Sequence, residues 1–217
     1  MSVSKKILNL YAGIGGNRKL WDEVMDVDVT AVEWNEDIAD IYQDFFPDDE
    51  VIVKDAHKYL KEHYEDGWDF IWASPPCPTH SRMNFLSHVQ EGKEIKYPDM
   101  KLWQEIIFLD NWFDGKYCVE NVKTYYQPLI DCYESGNHYL WSNFNITNIE
   151  TGKNKIDIRN NYEGFLEEKT GFDLNDYDMT KKEKEKVLNN CVHPKLGKHI
   201  LECAFKKKQL SLEDIND

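Results

Sequence analysis

The chain has 217 residues and a net charge of −14, enough length for one domain with a small appendage and a core that buries most of its apolar surface. That charge, with only Arg18, Arg82 and Arg159 as arginines, excludes a protein that grips nucleic acid over its whole surface and confines any such site to a local patch. No segment has the apolar length needed to cross a bilayer.

In chain order, Met1 to Lys6 leads into an apolar run without the longer apolar stretch and cleavage site of a secretory signal, so a cytoplasmic protein without a membrane partner is expected. Strands are predicted at Ile7 to Tyr11, Val27 to Glu33, Val51 to Asp55, Asp69 to Ala73 and Tyr117 to Val122. Between them helices are predicted at Asn17 to Met25, Asn35 to Phe46, Ala56 to His63 and Met100 to Phe113, each long enough for a right-handed crossover, which makes the class α/β with a mostly parallel sheet. Pro78 to Asp99 is polar and aperiodic and reads as a long loop of the kind that serves as a lid. After a further strand at His138 to Ile146 comes a polar, mixed-charge stretch ending in the solvated face of Lys181 to Lys186, and Pro194 then opens a last apolar helix to Phe205. The expected organisation is a catalytic and cofactor-binding domain at 1–146, a short appendage at 147–186 and a returning C-terminal segment at 187–217. The five cysteines are odd in number and form no C-x-x-C pair, so they read as reduced thiols and not as a disulfide or metal framework.

The predicted strand ends carry the chemistry. Ala12, Gly13, Ile14, Gly15 and Gly16 form a glycine-rich strand-to-helix turn, which by itself suits a nucleotide, a dinucleotide or mere packing. The next strand ends in Glu33 and Trp34, a carboxylate for ribose hydroxyls beside an aromatic face, and the third ends in Asp55, an acceptor for an adenine amine. The three together point to an adenosine-containing cofactor. The fourth strand ends in Ser74-Pro75-Pro76-Cys77-Pro78, where rigid prolines hold a thiol at the sheet edge. A buried structural cysteine is the commoner fate of this residue, but the prolines and the polar Thr79, His80 and Ser81 that follow do not suit a core site. The fifth strand ends in Glu120 and Asn121, so that the acid faces the same cleft or else caps a helix.

In these blocks, taken in order, the chain resembles the C5-cytosine DNA methyltransferases. Asn9 to Gly16 is similar to their cofactor loop, Glu33-Trp34 and Asp55 to their adenosine contacts, Pro75-Pro76-Cys77 to their catalytic loop, Glu120-Asn121-Val122 to their acid motif, and Asn189 to Pro194 to the C-terminal block beside the cofactor. The resemblance implies a doubly wound, Rossmann-like S-adenosylmethionine-dependent methyltransferase fold, with that cofactor held by Tyr11, Ala12, Gly13, Gly15, Gly16, Glu33, Trp34, Asp55, Pro75 and Asn190. It implies DNA as partner and a flipped cytosine as substrate. Cys77 would add at carbon 6 and turn the ring into an enamine able to attack a methyl sulfonium, while Glu120 donates a hydrogen bond or proton at ring nitrogen 3. Ser81 and Arg82 are candidate phosphate or base contacts, with solvated loop positions as the alternative, and Asn121 accompanies the acid.

The chain departs from the family pattern in five places. Pro78 stands where a glutamine follows the cysteine, Asn9 where an acid precedes the loop, and Tyr11 where a phenylalanine is usual. No Gln-x-Arg-x-Arg block follows the acid, so contact with the cytosine passes to Arg159, Arg82 or His138, or to no residue, which would weaken catalysis. Thr147 to Lys186 is also too short for a usual target-recognition domain, so either specificity is short and relaxed or a protein partner, a second copy or the structure of the substrate supplies it. Two other functions fit the residues: methylation of RNA, and a relative that binds without turnover.

Overall fold

The computed structural model describes residues 4–92, 94, 96–147 and 162–205. Seven strands form one sheet: β1 (Lys5–Leu10), β2 (Val27–Glu33), β3 (Glu50–Val53), β4 (Phe70–Ala73), β5 (Lys116–Val122), β6 (Tyr133–Ser135) and β7 (His138–Ser142). Their order is β3-β2-β1-β4-β5-β7-β6; the first five run parallel, while β7 is antiparallel to β5 and β6 to β7. The chain winds outward from β1 to β3, then returns to lay β4 and β5 on the other side, so the strand order reverses between β1 and β4. In an open α/β sheet that reversal opens a crevice beyond the carboxyl ends of the strands.

Alternation along the strands buries both faces. Leu8, Leu10, Val32, Ile71, Ala73 and Val119 pack against α2 (Ala56–His63) and α4 (Lys101–Trp112). Ile7, Val29, Phe70, Trp72 and Cys118 pack against Trp21 and α7 (Pro194–Phe205), while Ala31 meets Tyr42 of α1 (Glu36–Phe45). Such doubly covered strands tend to read as continuous apolar runs, as β4 does from Phe70 to Ala73.

Three predicted segments differ from the structure. Asn17 to Met25 is not a helix but a loop with one 3-10 turn at Trp21–Glu23. Tertiary contacts outweigh its helical period: the Arg18 guanidinium is buried on Asp49 with contacts of 2.9 and 3.0 Å, and Trp21 Nε1 donates to Gly197 O at 3.2 Å. The segment after Cys77 contains α3 (Arg82–Gln90) instead of being loop throughout. The stretch taken for a polar appendage holds α5 (Tyr162–Thr170) and the start of α6 (Lys181–Asn190), and it buries Leu166, Phe172 and Leu174 with Ile14 and Ile41. Its apolar side chains are thus part of the wall behind the glycine loop.

Candidate active site

The chain leaves β1 through Tyr11, whose φ of 57° is the only positive value among the described non-glycine residues, and enters Gly13 at φ 54°. Gly16 allows a close approach, since a Cβ there would stand 2.5 Å from the Val192 carbonyl oxygen. Glu33 ends β2 almost fully buried, its Oε2 accepting from Gly13 N and its Oε1 from Asn35 N, both at 3.0 Å. One carboxylate therefore fixes the loop after β1 to the turn into α1, where Asn35 Oδ1 caps the helix by accepting from Ile38 N at 3.0 Å.

Asp55 caps α2 in the same way, accepting from Lys58 N at 2.9 Å, and this bond is the main cause that holds its pKa below the usual carboxylate value. Trp34 is 71% exposed over the cleft, which is lined by Tyr11, Trp34, Asp55, Pro75, Pro76 and Leu102 among others. Asn190, at the exposed end of α6, does not join the lining; the contact with Gly16 is made by Cys191 and Val192.

On the other side of the reversal, β4 delivers Ser74 to Cys77. The backbone turns at once, with Cys77 O accepting from His80 N at 2.9 Å and Ser81 N at 3.0 Å. Asn121 Nδ2 donates to Pro75 O at 2.9 Å, so the residue after the acid braces the loop that carries the thiol. Ser81 bridges to Thr124 beyond β5. Arg82 begins α3 on the surface, and Arg159 lies outside the described residues.

Glu120 is 6% exposed near the end of β5, and His138 Nδ1 lies 2.5 Å from its Oε1. The antiparallel register pairs His138 with Val122 and Leu140 with Glu120, which puts the two side chains on a diagonal of one face. Burial opposes charge on His138, but the Glu120 hydrogen bond and charge outweigh it and raise the pKa. Lys169 of α5 also acts on His138, bringing a cation to the site that the sequence did not reveal. Burial, and then the Glu120 charge, push the Cys77 thiol above its ordinary value. The two residues named from the sequence as nucleophile and acid are therefore electrostatic neighbours at one edge of the sheet, and their proximity works against the thiolate.

The site also holds two groups to which the sequence reading gave no role, and one of them, His80, is buried although the sequence placed it among residues unsuited to a core. His80 is fully buried with Nδ1 2.5 Å from the Tyr126 hydroxyl, and Glu105 of α4 is buried beneath Tyr11 and His57. Glu105 had a signal: within Leu102 to Phe113 it occupies a position of the buried helical period that apolar residues otherwise fill.

Residues 5–128 match the family of C-5 cytosine-specific DNA methylases. A methyltransferase of Entamoeba histolytica, EhMeth, superposes with a TM-score of 0.60 over 100% of both chains at 11% identity, which shows the fold. The DNMT2 of Spodoptera frugiperda is 28% identical with a TM-score of 0.38 over 55% of this chain and 36% of its own, and a SAM-dependent methyltransferase of Agrobacterium tumefaciens is 15% identical with a TM-score of 0.42 over 58% and 41%. The chain thus spans well under half of the length of these last two. No curated protein sequence matches it.

Proposed function

This chain belongs to the C-5 cytosine-specific DNA methylase family, and from that premise we propose that it transfers a methyl group from S-adenosylmethionine to carbon 5 of cytosine in DNA. The observation that carries the reading is that parallel β4 and β5, paired Ala73 with Val119 and tied by the Asn121–Pro75 hydrogen bond, bring Cys77 and Glu120 to one sheet edge beside a cleft at the reversal of strand order. In this reading residues 1–146 carry cofactor and chemistry, 147–186 stand where a target-recognition domain belongs, and 187–217 are the C-terminal segment that returns to the catalytic domain, of which α7 packs on the sheet.

The residues present fit the cofactor. Glu33 and Asp55 supply acceptors at successive strand ends, Trp34 an aromatic face, and the backbone from Tyr11 to Gly16 a close approach at the place where such folds bind ligands. When bound, S-adenosylmethionine supplies an electrophilic methyl group.

Cys77 Sγ passes its proton to solvent, against burial and the Glu120 charge that both favour keeping it, and adds to carbon 6 of the flipped base. Once carbon 5 carries the methyl group, the proton on that carbon leaves to solvent as the carbon–sulfur bond breaks and the thiolate is released. A negative Glu120 opposes the thiolate, whereas a Glu120 that carries a proton toward ring nitrogen 3 does not. The acid therefore helps twice, by stabilising charge on the ring and by ceasing to repel the sulfur. His138 binds one oxygen of Glu120 and leaves the other for the base, a positioning role where the family has an arginine. Asn121 fixes Pro75 and with it the height of Cys77.

Recognition is assigned to a partner protein or a second copy, since a good base contact supplies about 1 to 3 kcal/mol and the three arginines of the chain cannot specify a long site. Labelled cofactor incubated with duplex DNA or with structured RNA is the test. Transfer to carbon 5 of cytosine in DNA is expected; transfer to RNA alone would move the activity to that substrate, and cofactor binding without transfer to either would make the chain a binding protein.

A further inference from the structure

One buried cluster takes no part in the chemistry above. Glu105 is 1% exposed, and its Oε1 accepts from the Tyr11 hydroxyl and lies 2.7 Å from His57 Nδ1. Its Oε2 is buried with no hydrogen-bond partner. Three elements far apart in sequence, the loop after β1, α2 and α4, thus converge on a single oxygen. Tyr11 and His57 line the cleft; Glu105 stands behind them.

A buried carboxylate with one orphaned oxygen is costly, and apolar side chains would fill this place in a purely structural core. Tyr11 adds to that cost through a left-handed backbone that L side chains rarely adopt. The other charged and titratable groups here are Asp55 beside α2, His80 from the catalytic loop, and Asp99 and Lys101 at the start of α4, all of which line the cleft. Asp99 N donates to Thr79 Oγ1 and Lys101 N to Asp99 Oδ1, each at 3.0 Å, so α4 is also bonded to the loop two residues beyond Cys77.

We propose that Glu105 is a positioning residue of the cofactor cleft, holding Tyr11 and His57 as its wall through one oxygen and tying the cofactor loop to the helix that braces the catalytic loop. The inference rests on the reading that this cleft takes S-adenosylmethionine. Local strain at Tyr11 persists because Glu105 holds the hydroxyl, and the wall is ordered before any ligand arrives.

Calorimetric titration with S-adenosylmethionine, together with methyl transfer at saturating cofactor, tests this in Glu105→Leu, Glu105→Gln and Tyr11→Phe. Glu105→Leu is expected to raise Kd and KM about tenfold or more while the rate at saturation changes little, because only the wall is lost. Glu105→Gln keeps an acceptor oxygen and restores most of the affinity. If the leucine variant does not fold, Tyr11→Phe carries the test, since it removes one hydroxyl and is expected to weaken binding about tenfold. Wild-type affinity in Tyr11→Phe or in a folded Glu105→Leu overturns the inference alone, as does a loss in the glutamine variant equal to that in the leucine variant. A wild type that takes up no S-adenosylmethionine overturns the cofactor reading, and the inference with it.

Discussion

The two sides of the crevice are built differently. On the cofactor side, Glu33 has both oxygens engaged by backbone N–H groups and Asp55 caps a helix, so the acceptors are fixed by the same bonds that fold the loops. On the catalytic side the groups act on each other: Glu120 raises the pKa of both Cys77 and His138, although for Cys77 that opposes the reactive form and for His138 it favours the charged one. In the proposed reading, binding groups are thus pre-organised at rest, and reacting groups are held short of reactivity until a base arrives.

Glu120→Gln breaks the catalytic side most sharply. Methyl transfer is expected to fall by roughly 100-fold or more, the size typical of a lost general acid. In the same variant, alkylation of Cys77 should accelerate, because one of the two causes that raise the thiol pKa is gone while burial remains. In wild type the alkylation rate should climb with pH through a midpoint above the ordinary thiol value. If both activities fall together, the coupling between the two residues is wrong.

Glu33→Ala breaks the cofactor side. Two backbone donors lose their partner, each costing about 1 to 3 kcal/mol if left buried and unpaired, so cofactor affinity should drop at least tenfold while Cys77 alkylation is unchanged. Calorimetry and alkylation on the same sample separate the two sides.

The smallest effect is in stability. The folded pKa of His138 lies above its unfolded value, so the contribution of its pair with Glu120 is fully present below about pH 6.5 and is lost as pH rises through the raised value. Thermal unfolding should show a decline on the order of a few degrees across that window, absent in His138→Gln.

Most of this architecture was legible because parallel strands share polarity. Once β1 to β5 are placed, Gly13, Glu33, Asp55, Cys77 and Glu120 must all fall at one edge, and the helix over Ala56 to His63 begins and ends where its cap and period place it. What was not legible depends on pairing. That His138 meets Glu120 is set by the β5–β7 register, and β6 is three residues long, too short for a period to register. The helix within Pro78 to Asp99 has Arg82, Met83, Ser87 and His88 without an apolar stripe, so nothing in its period marks it. Glu105 could have been found, because a carboxylate in a buried helical period needs partners.

The central claim, that Cys77 attacks a cytosine, is tested most directly with 5-fluorocytosine in duplex DNA, which blocks the final elimination at carbon 5. Incubation of the purified protein with that DNA and S-adenosylmethionine should yield a denaturation-resistant protein–DNA complex with the cross-link at Cys77, and none with Cys77→Ala; a complex that persists in Cys77→Ala, or full methylation by that variant, would contradict the account.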